Sequence, residues 1–251
     1  MKISNLVEQI FSQAVALNQS GGLKNTIYAI GKEIFILNYD HTVLLKFRLR
    51  SSETAFPSPI SFKADDYDSN EFEEKEGRII FHSENEGYSR KKICGTSDLT
   101  PEQIKELWSE YELEEEREVI QVSKSILNLL DDNLSHIEFV GEKGGKLKLI
   151  QRNIYSGGII EVEEKGKGGF FEQSLKNDFG PVAMKTGDFQ ALFVFEDSLN
   201  FCFPTRGRED YIYVKSVNET KRNMKAIIAC CLYDEIIKIK EAESTPLIRR
   251  K

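Results

Sequence analysis

Ile3-Ser4-Asn5-Leu6-Val7-Glu8-Gln9-Ile10-Phe11-Ser12-Gln13-Ala14-Val15-Ala16-Leu17 opens the 251-residue chain with Ile3, Leu6, Val7, Ile10, Phe11, Ala14 and Leu17 at helical spacing. Asn5, Gln9, Ser12 and Gln13 fall on the other side, which predicts an amphipathic helix with an uncharged polar face. Three short β-like runs follow, over 26–30, 33–37 and 42–49. In the last of them Leu45, Phe47 and Leu49 alternate with Lys46 and Arg48, the two-residue period of a strand. The turn Asn38-Tyr39-Asp40-His41 separates the second and third runs.

From Val119 the same order is read again. Val119, Val122, Ile126, Leu129 and Leu130 take helical positions, with Gln121, Lys124, Asn128 and Asp131 between them. Runs over 135–140, 146–151 and 158–163 then read as strands, separated by Glu142-Lys143-Gly144-Gly145 and Ile154-Tyr155-Ser156-Gly157. Farther on, Lys75-Glu76-Gly77-Arg78-Ile79-Ile80-Phe81 can be laid on Glu196-Asp197-Ser198-Leu199-Asn200-Phe201-Cys202-Phe203. Each copy then closes near Cys94 or Val217. A period of about 110 to 120 residues is too long for a solenoid and points to a duplicated α+β module.

Shorter segments complete the expectation. Residues 170–182, with Phe171, Leu175 and Phe179 ahead of Gly180-Pro181, predict a short helix. The counterpart at 56–63 carries Pro57 and Pro59, so any helix there is very short. Residues 218–242, with Met224, Ile227, Ile228, Cys231, Ile236 and Ile239, predict an appended helix. The division is a first domain over 1–99, an acidic connector over 100–118, a second domain over 119–217, and an appended helix and tail over 218–251.

A net charge of −7 argues against loose electrostatic binding to nucleic acid, so contact with it must be local or topological. Cys94, Cys202, Cys230 and Cys231 show no paired metal-ligand spacing, which points to a reduced, cytoplasmic setting and to no zinc. No apolar run reaches the ~18 residues of a membrane span. Asp40 beside His41 is a turn pair without a nucleophile. Asp66, Asp68 and Asn70 imitate a calcium loop, but Glu71 occupies its glycine position and Gly77 its bidentate glutamate position. Gly141-Glu142-Lys143-Gly144-Gly145-Lys146 is one residue short of a phosphate loop and reads as a hairpin turn. Gly166-Lys167-Gly168-Gly169 reads as a loop.

Helix, strands, short helix, strands, acidic connector, and the same again resembles the layout of DNA sliding clamps over residues 2–217. The likeness is to the clamps of T-even-like bacteriophages and extends to proliferating cell nuclear antigen. It is carried by Lys2-Ile3-Ser4 entering the helix and by Ile36-Leu37-Asn38-Tyr39-Asp40-His41-Thr42-Val43-Leu44-Leu45. Met184-Lys185-Thr186-Gly187-Asp188-Phe189-Gln190-Ala191-Leu192-Phe193 is similar to the clamp segment in which Gly-Asp-aromatic starts a strand.

The resemblance implies a non-enzymatic ring, a trimer in the phage type, that encircles duplex DNA without reading its sequence and tethers a DNA polymerase. A clamp loader is the other implied partner, and no cofactor, metal or catalytic residue is implied. In a virus, the setting would be the host cytoplasm. Pore residues carried over by position are Lys2, Gln9, Gln13, Lys24, Lys63, Lys124, Asn128 and Lys176. The first helix departs from the family in lacking lysine and arginine, so contact there would run through amides and water. A pocket for partner peptides would be lined by Tyr39, His41, Val43, Tyr111 and Leu113. Two other functions are weighed: an assembly protein using the same module for packing alone, and a metal-dependent nuclease drawing on Asp65, Asp66, Asp68, Glu71 and Glu73. The nuclease needs carboxylates converging from separate elements, and these five share one polar run.

Overall fold

The computed structural model describes residues 2–19, 25–53, 55–75, 78–85, 88–94, 97–111, 117–144, 147–152, 159–162, 175–204, 211–218 and 223–230. Two compact units divide the chain at Leu113 and Glu114, with a short segment near residue 223 grouped with the first.

In the first unit, the chain enters through an isolated bridge from Lys2 to Glu71 and runs into helix α1 (Asn5–Gln19). Strands β1 (Thr26–Gly31), β2 (Glu33–Leu37), β3 (Val43–Arg48) and β4 (Phe56–Lys63) follow, then a 3-10 turn at Ala64–Asp66. Strands β5 (Glu71–Lys75), β6 (Arg78–Asn85) and β7 (Tyr88–Ile93) and helix α2 (Pro101–Tyr111) complete it. The strands run β4-β1-β2-β3 in one sheet and β5-β6-β7 in another. Phe11 of α1 packs edge-on to Phe62 at 5.3 Å and Tyr67 at 5.5 Å, and Phe81 of β6 meets Phe62 at 5.2 Å. These rings are the core, each aromatic pair adding about 0.5–1.5 kcal/mol beyond its buried area.

The second unit contains β8 (Arg117–Ser123), a 3-10 segment (Lys124–Leu129), β9 (His136–Gly141), β10 (Leu147–Arg152), β11 (Ile159–Val162) and β12 (Phe179–Lys185). Helix α3 (Thr186–Leu192) and strands β13 (Ser198–Pro204), β14 (Tyr211–Ser216) and β15 (Asn223–Ala229) finish it. Its strands run β11-β10-β9-β12 and β15-β14-β13-β8. Phe139, Phe179, Phe189, Phe193, Phe201 and Phe203 fill the core, with Phe179 stacked on Phe203 at 4.5 Å. A Cβ on Gly141 would lie 2.2 Å from the Phe179 ring, so the backbone there needs glycine to let the ring in.

Set side by side, the units share one element order. The Lys2 bridge to β5 answers to β8 on β13, and α1 answers to the 3-10 segment at 124. β1 through β4 answer to β9 through β12, the 3-10 turn at 64 to α3, and β5 through β7 to β13 through β15. Each unit keeps a full helix at only one of its two helical positions, and they are opposite positions.

Several sequence expectations are corrected here. The helix expected from Val119 is strand β8, whose residues alternate exposed and buried and pair along their length with β13. Val119, Ile120 and Val122 are β-branched, and three apolar residues at 119, 122 and 126 satisfy both periods. The expected helix over 170–182 is replaced at Phe179 by β12, while 163–174 lie outside the described residues. The helix of that region falls instead at α3, where Gly187-Asp188-Phe189 was expected to start a strand. Its Phe189, Leu192 and Phe193 are buried at i, i+3 and i+4.

Residues 56–63 form strand β4, an edge position that tolerates Pro57 and Pro59. The expected appended helix begins with strand β15, in which Met224, Ala226 and Ile228 are buried against β14 and alternate with Asn223 and Lys225 up to Ile227. The rest of that expected helix, from 231, lies outside the described residues. The alignment of residues 75–81 on 196–203 is one strand out of step, since element order sets β13 against β5 and β14 against β6. Finally, the acidic connector is helical over Pro101–Tyr111 and belongs to the first unit.

Candidate nucleic-acid interface and partner face

α1 forms because its apolar stripe is continuous: Val7, Ile10, Phe11 and Ala14 are buried to 2% exposure or less. What remains outward includes Asn5, Gln9 and Ser12, with Gln13 half-buried. This described face carries Glu8 and no cation. Tyr67 packs beneath it, its phenol pushed up to about 12 by burial and then by the Glu8 charge, against an opposing hydrogen bond with Ser12.

Lys2 is exposed beside α1 and reaches Glu71 at 3.8 Å, an ion pair weak enough to exchange for another anion. Lys63 donates to Thr26 Oγ1 at 3.0 Å, on the face of β4 opposite Phe62. It is therefore not gathered with Lys2 and Gln9. Lys24 lies outside the described residues. In the second unit, Lys124 and Asn128 are both exposed on one 3-10 segment, four residues apart, and Lys124 sits 3.8 Å from Asp197. Ser123 caps that segment by accepting from the Ser125 N–H. Lys176 is exposed on a loop held by Glu118 of β8, whose buried carboxylate accepts from the Lys176 N–H at 2.8 Å and from Asn177 Nδ2 at 3.1 Å.

The five carboxylates considered for metal chemistry are dispersed. Asp66 pairs with Lys92 at 3.7 Å, Asp68 with Arg90 at 3.6 Å, Glu71 with Lys2, and Glu73 with His82 at 3.4 Å. Lys92 also donates to the Asp65 carbonyl at 2.7 Å. Among the described residues no three His, Cys, Asp or Glu side chains converge as metal ligands. Nor is any described helix long and apolar enough to cross a membrane.

The turn between β2 and β3 is organised by Asn38. Its Oδ1 accepts from the N–H groups of Thr42 at 2.8 Å and Val43 at 2.9 Å, and its Nδ2 donates to Thr42 Oγ1 at 2.9 Å. The turn places His41 at a left-handed φ of 58° and leaves Tyr39 47% exposed. Val43, by contrast, is buried in the sheet at 4% exposure and offers no free surface. Tyr111 is half-buried at the last position of α2, and Leu113 lies outside the described residues.

α2 is the element of this face that the sequence reading passed over, although its signals were present. Thr100 and Gln103 form a capping box, with Gln103 N–H to Thr100 Oγ1 at 3.3 Å and Thr100 N–H to Gln103 Oε1 at 2.8 Å. Pro101 follows at the first helical position. Ile104 and Trp108, four residues apart, are buried to 0% and 1%. Trp108 lies 6.2 Å from Phe35, and Lys46 Nζ stands over both rings at 5.7 and 5.3 Å. Glu33 completes the contact, with Lys46 3.0 Å from Oε1 and Lys105 3.0 Å from Oε2. Burial disfavours the Glu33 charge, but the two lysines outweigh it and hold the carboxyl below its usual range. Ahead of the helix, the Tyr28 hydroxyl and Ser97 Oγ share a hydrogen bond of 2.9 Å, and burial raises the Tyr28 phenol.

No protein-family model matches the chain, and no curated sequence is significantly similar to it. Among solved structures, the crystal structure of the PCNA2–PCNA3 complex from Sulfolobus tokodaii superposes with a TM-score of 0.57 at 13% identity. That match covers 88% of this chain and 96% of the other. Proliferating cellular nuclear antigen from Entamoeba histolytica gives 0.53 at 11% identity, over 88% and 95%. The fold, two α+β units built mainly of antiparallel sheet, is therefore that of the PCNA-like sliding clamps.

Proposed function

We propose that the chain is one subunit of a DNA sliding clamp: a non-enzymatic ring, three subunits in all, that encircles duplex DNA and tethers a replicative DNA polymerase after a clamp loader places it. The observation that carries this is the element-by-element repetition of one module within a chain of clamp fold. Encirclement explains how a chain of net charge −7 retains DNA, because escape requires the ring to open. Contacts then need only be mild and independent of sequence. Lys2, Lys124 and Lys176 supply the cations, with Gln9, Gln13 and Asn128 reaching phosphate directly or through water. Strands β7 and β11 each end a sheet, and ring closure would cover such edges.

Retention on DNA circles is the test. Loaded protein is expected to stay on nicked circles and to run off linear ends, and equal loss from both would refute encirclement. Light scattering should give three times the 28.8 kDa of one chain.

A further inference from the structure

The β1-β2-β3 sheet is apolar on both faces. One face carries Ile27, Ala29, Ile34, Ile36, Leu45 and Phe47, all at 2% exposure or less, on the side of Phe62 and the α1 core. The other presents Tyr28, Phe35 and Lys46, which are register partners across the three strands. α2 lies on that second face and touches it along one side only. Ile104 and Trp108 point in, while Glu102, Gln103, Glu106, Ser109 and Glu110 are exposed. Glu33 holds the sheet's Lys46 with one oxygen and the helix's Lys105 with the other.

We propose that α2 is the resident occupant of a helix-binding groove on the first unit. A partner segment of the same chemistry exchanges with it: an amphipathic helix with aliphatic and aromatic anchors four residues apart and a lysine beside the first. The groove rests on the reading of this unit as a docking face for polymerase or loader. Its polarity is legible from the occupant. The aliphatic anchor enters beside Glu33, the aromatic one covers Phe35, and Lys46 bridges the two rings.

An 11-residue helix is too short to persist alone in water, so α2 off the sheet unravels, and release is a local unfolding that leaves the sheet intact. A partner's apparent affinity is then its intrinsic affinity multiplied by the fraction of molecules with the groove open.

Hydrogen exchange on the full chain, with a fluorescein-labelled peptide of residues 97–111 as probe, tests this. Amides of α2 are expected to exchange about ten-fold or more faster than those of β2. Ile104→Ala weakens the resident helix and leaves the groove whole, so it should tighten peptide binding about thirty-fold. Lys105→Ala, the milder variant, should tighten it about three-fold. A peptide carrying Lys105→Glu should bind more weakly than the parent. The proposal is overturned if α2 and β2 exchange at one rate, or if Lys105→Ala binds the peptide no better than the parent protein. DNA retention by the unaltered chain is measured separately. Its failure would remove the clamp reading, whereas the exchange and peptide results bear on the groove alone.

Discussion

Removing the Asn38 side chain should loosen the turn that presents Tyr39 and His41. Asn38→Ala deletes two accepted hydrogen bonds and one donated bond, all between 2.8 and 2.9 Å. At about 1 kcal/mol net for each, the loss is about 3 kcal/mol. Asn38→Asp keeps both acceptor positions and loses only the donation to Thr42, for about 1 kcal/mol. For proteins of this size a kilocalorie moves the midpoint by about 2–4 °C, so thermal unfolding followed by circular dichroism should fall by about 6–12 °C for alanine and about 2–4 °C for aspartate. His41→Gly relieves the positive φ of 58° and should recover up to about 1 kcal/mol in either background. Equal losses for alanine and aspartate would show that the two acceptor bonds do not hold the turn. A rise in stability on His41→Ala as large as that on His41→Gly would refute the strain.

Three further outcomes follow from the geometry. Gly141→Ala drives a methyl into Phe179, which is stacked on Phe203, and should cost about 1–3 kcal/mol in urea denaturation, with Phe179→Leu partly restoring it. Glu33 has a lowered folded pKa, so its contribution is complete above its unfolded value of 4.5 and is lost as pH falls through the folded value. Between pH 5 and pH 3 the parent should therefore lose more stability than Glu33→Gln, and parallel curves would contradict the ion triad. The triple change of Lys2, Lys124 and Lys176 to Gln should shorten residence on circular DNA and flatten its dependence on salt, while far-ultraviolet circular dichroism stays unchanged.

How far the fold was legible depended on how many periods each segment satisfies. α1 was readable because fifteen residues carry one unbroken helical stripe, and β1 to β3 because alternation and turn residues agree within a residue or so of the observed ends. β8 and β15 were misread because short runs of Val, Ile, Met and Ala match a helical and a strand period equally. Their hydrogen-bonding partners, β13 and β14, lie far away or across a turn, and they decide the outcome. α2 was hidden by its charge: Glu102, Glu106 and Glu110 made an acidic connector out of a helix whose buried side rests mainly on Ile104 and Trp108. Of the candidate site, Lys2, Lys124 and Asn128 were placed on exposed positions as read. Lys63 was legible only as a nearby cation, because its face is set by the register of β4 on β1.

β4 ends its sheet with Pro57 and Pro59, two positions that have no amide hydrogen to offer an incoming chain. A strand approaching from that side would find gaps in the donor row, so polymerisation through this border is discouraged in the backbone itself, whatever side chains surround it. Any self-association of the first unit by strand addition is thereby directed to the opposite sheet, where β7 keeps its full complement of N–H groups.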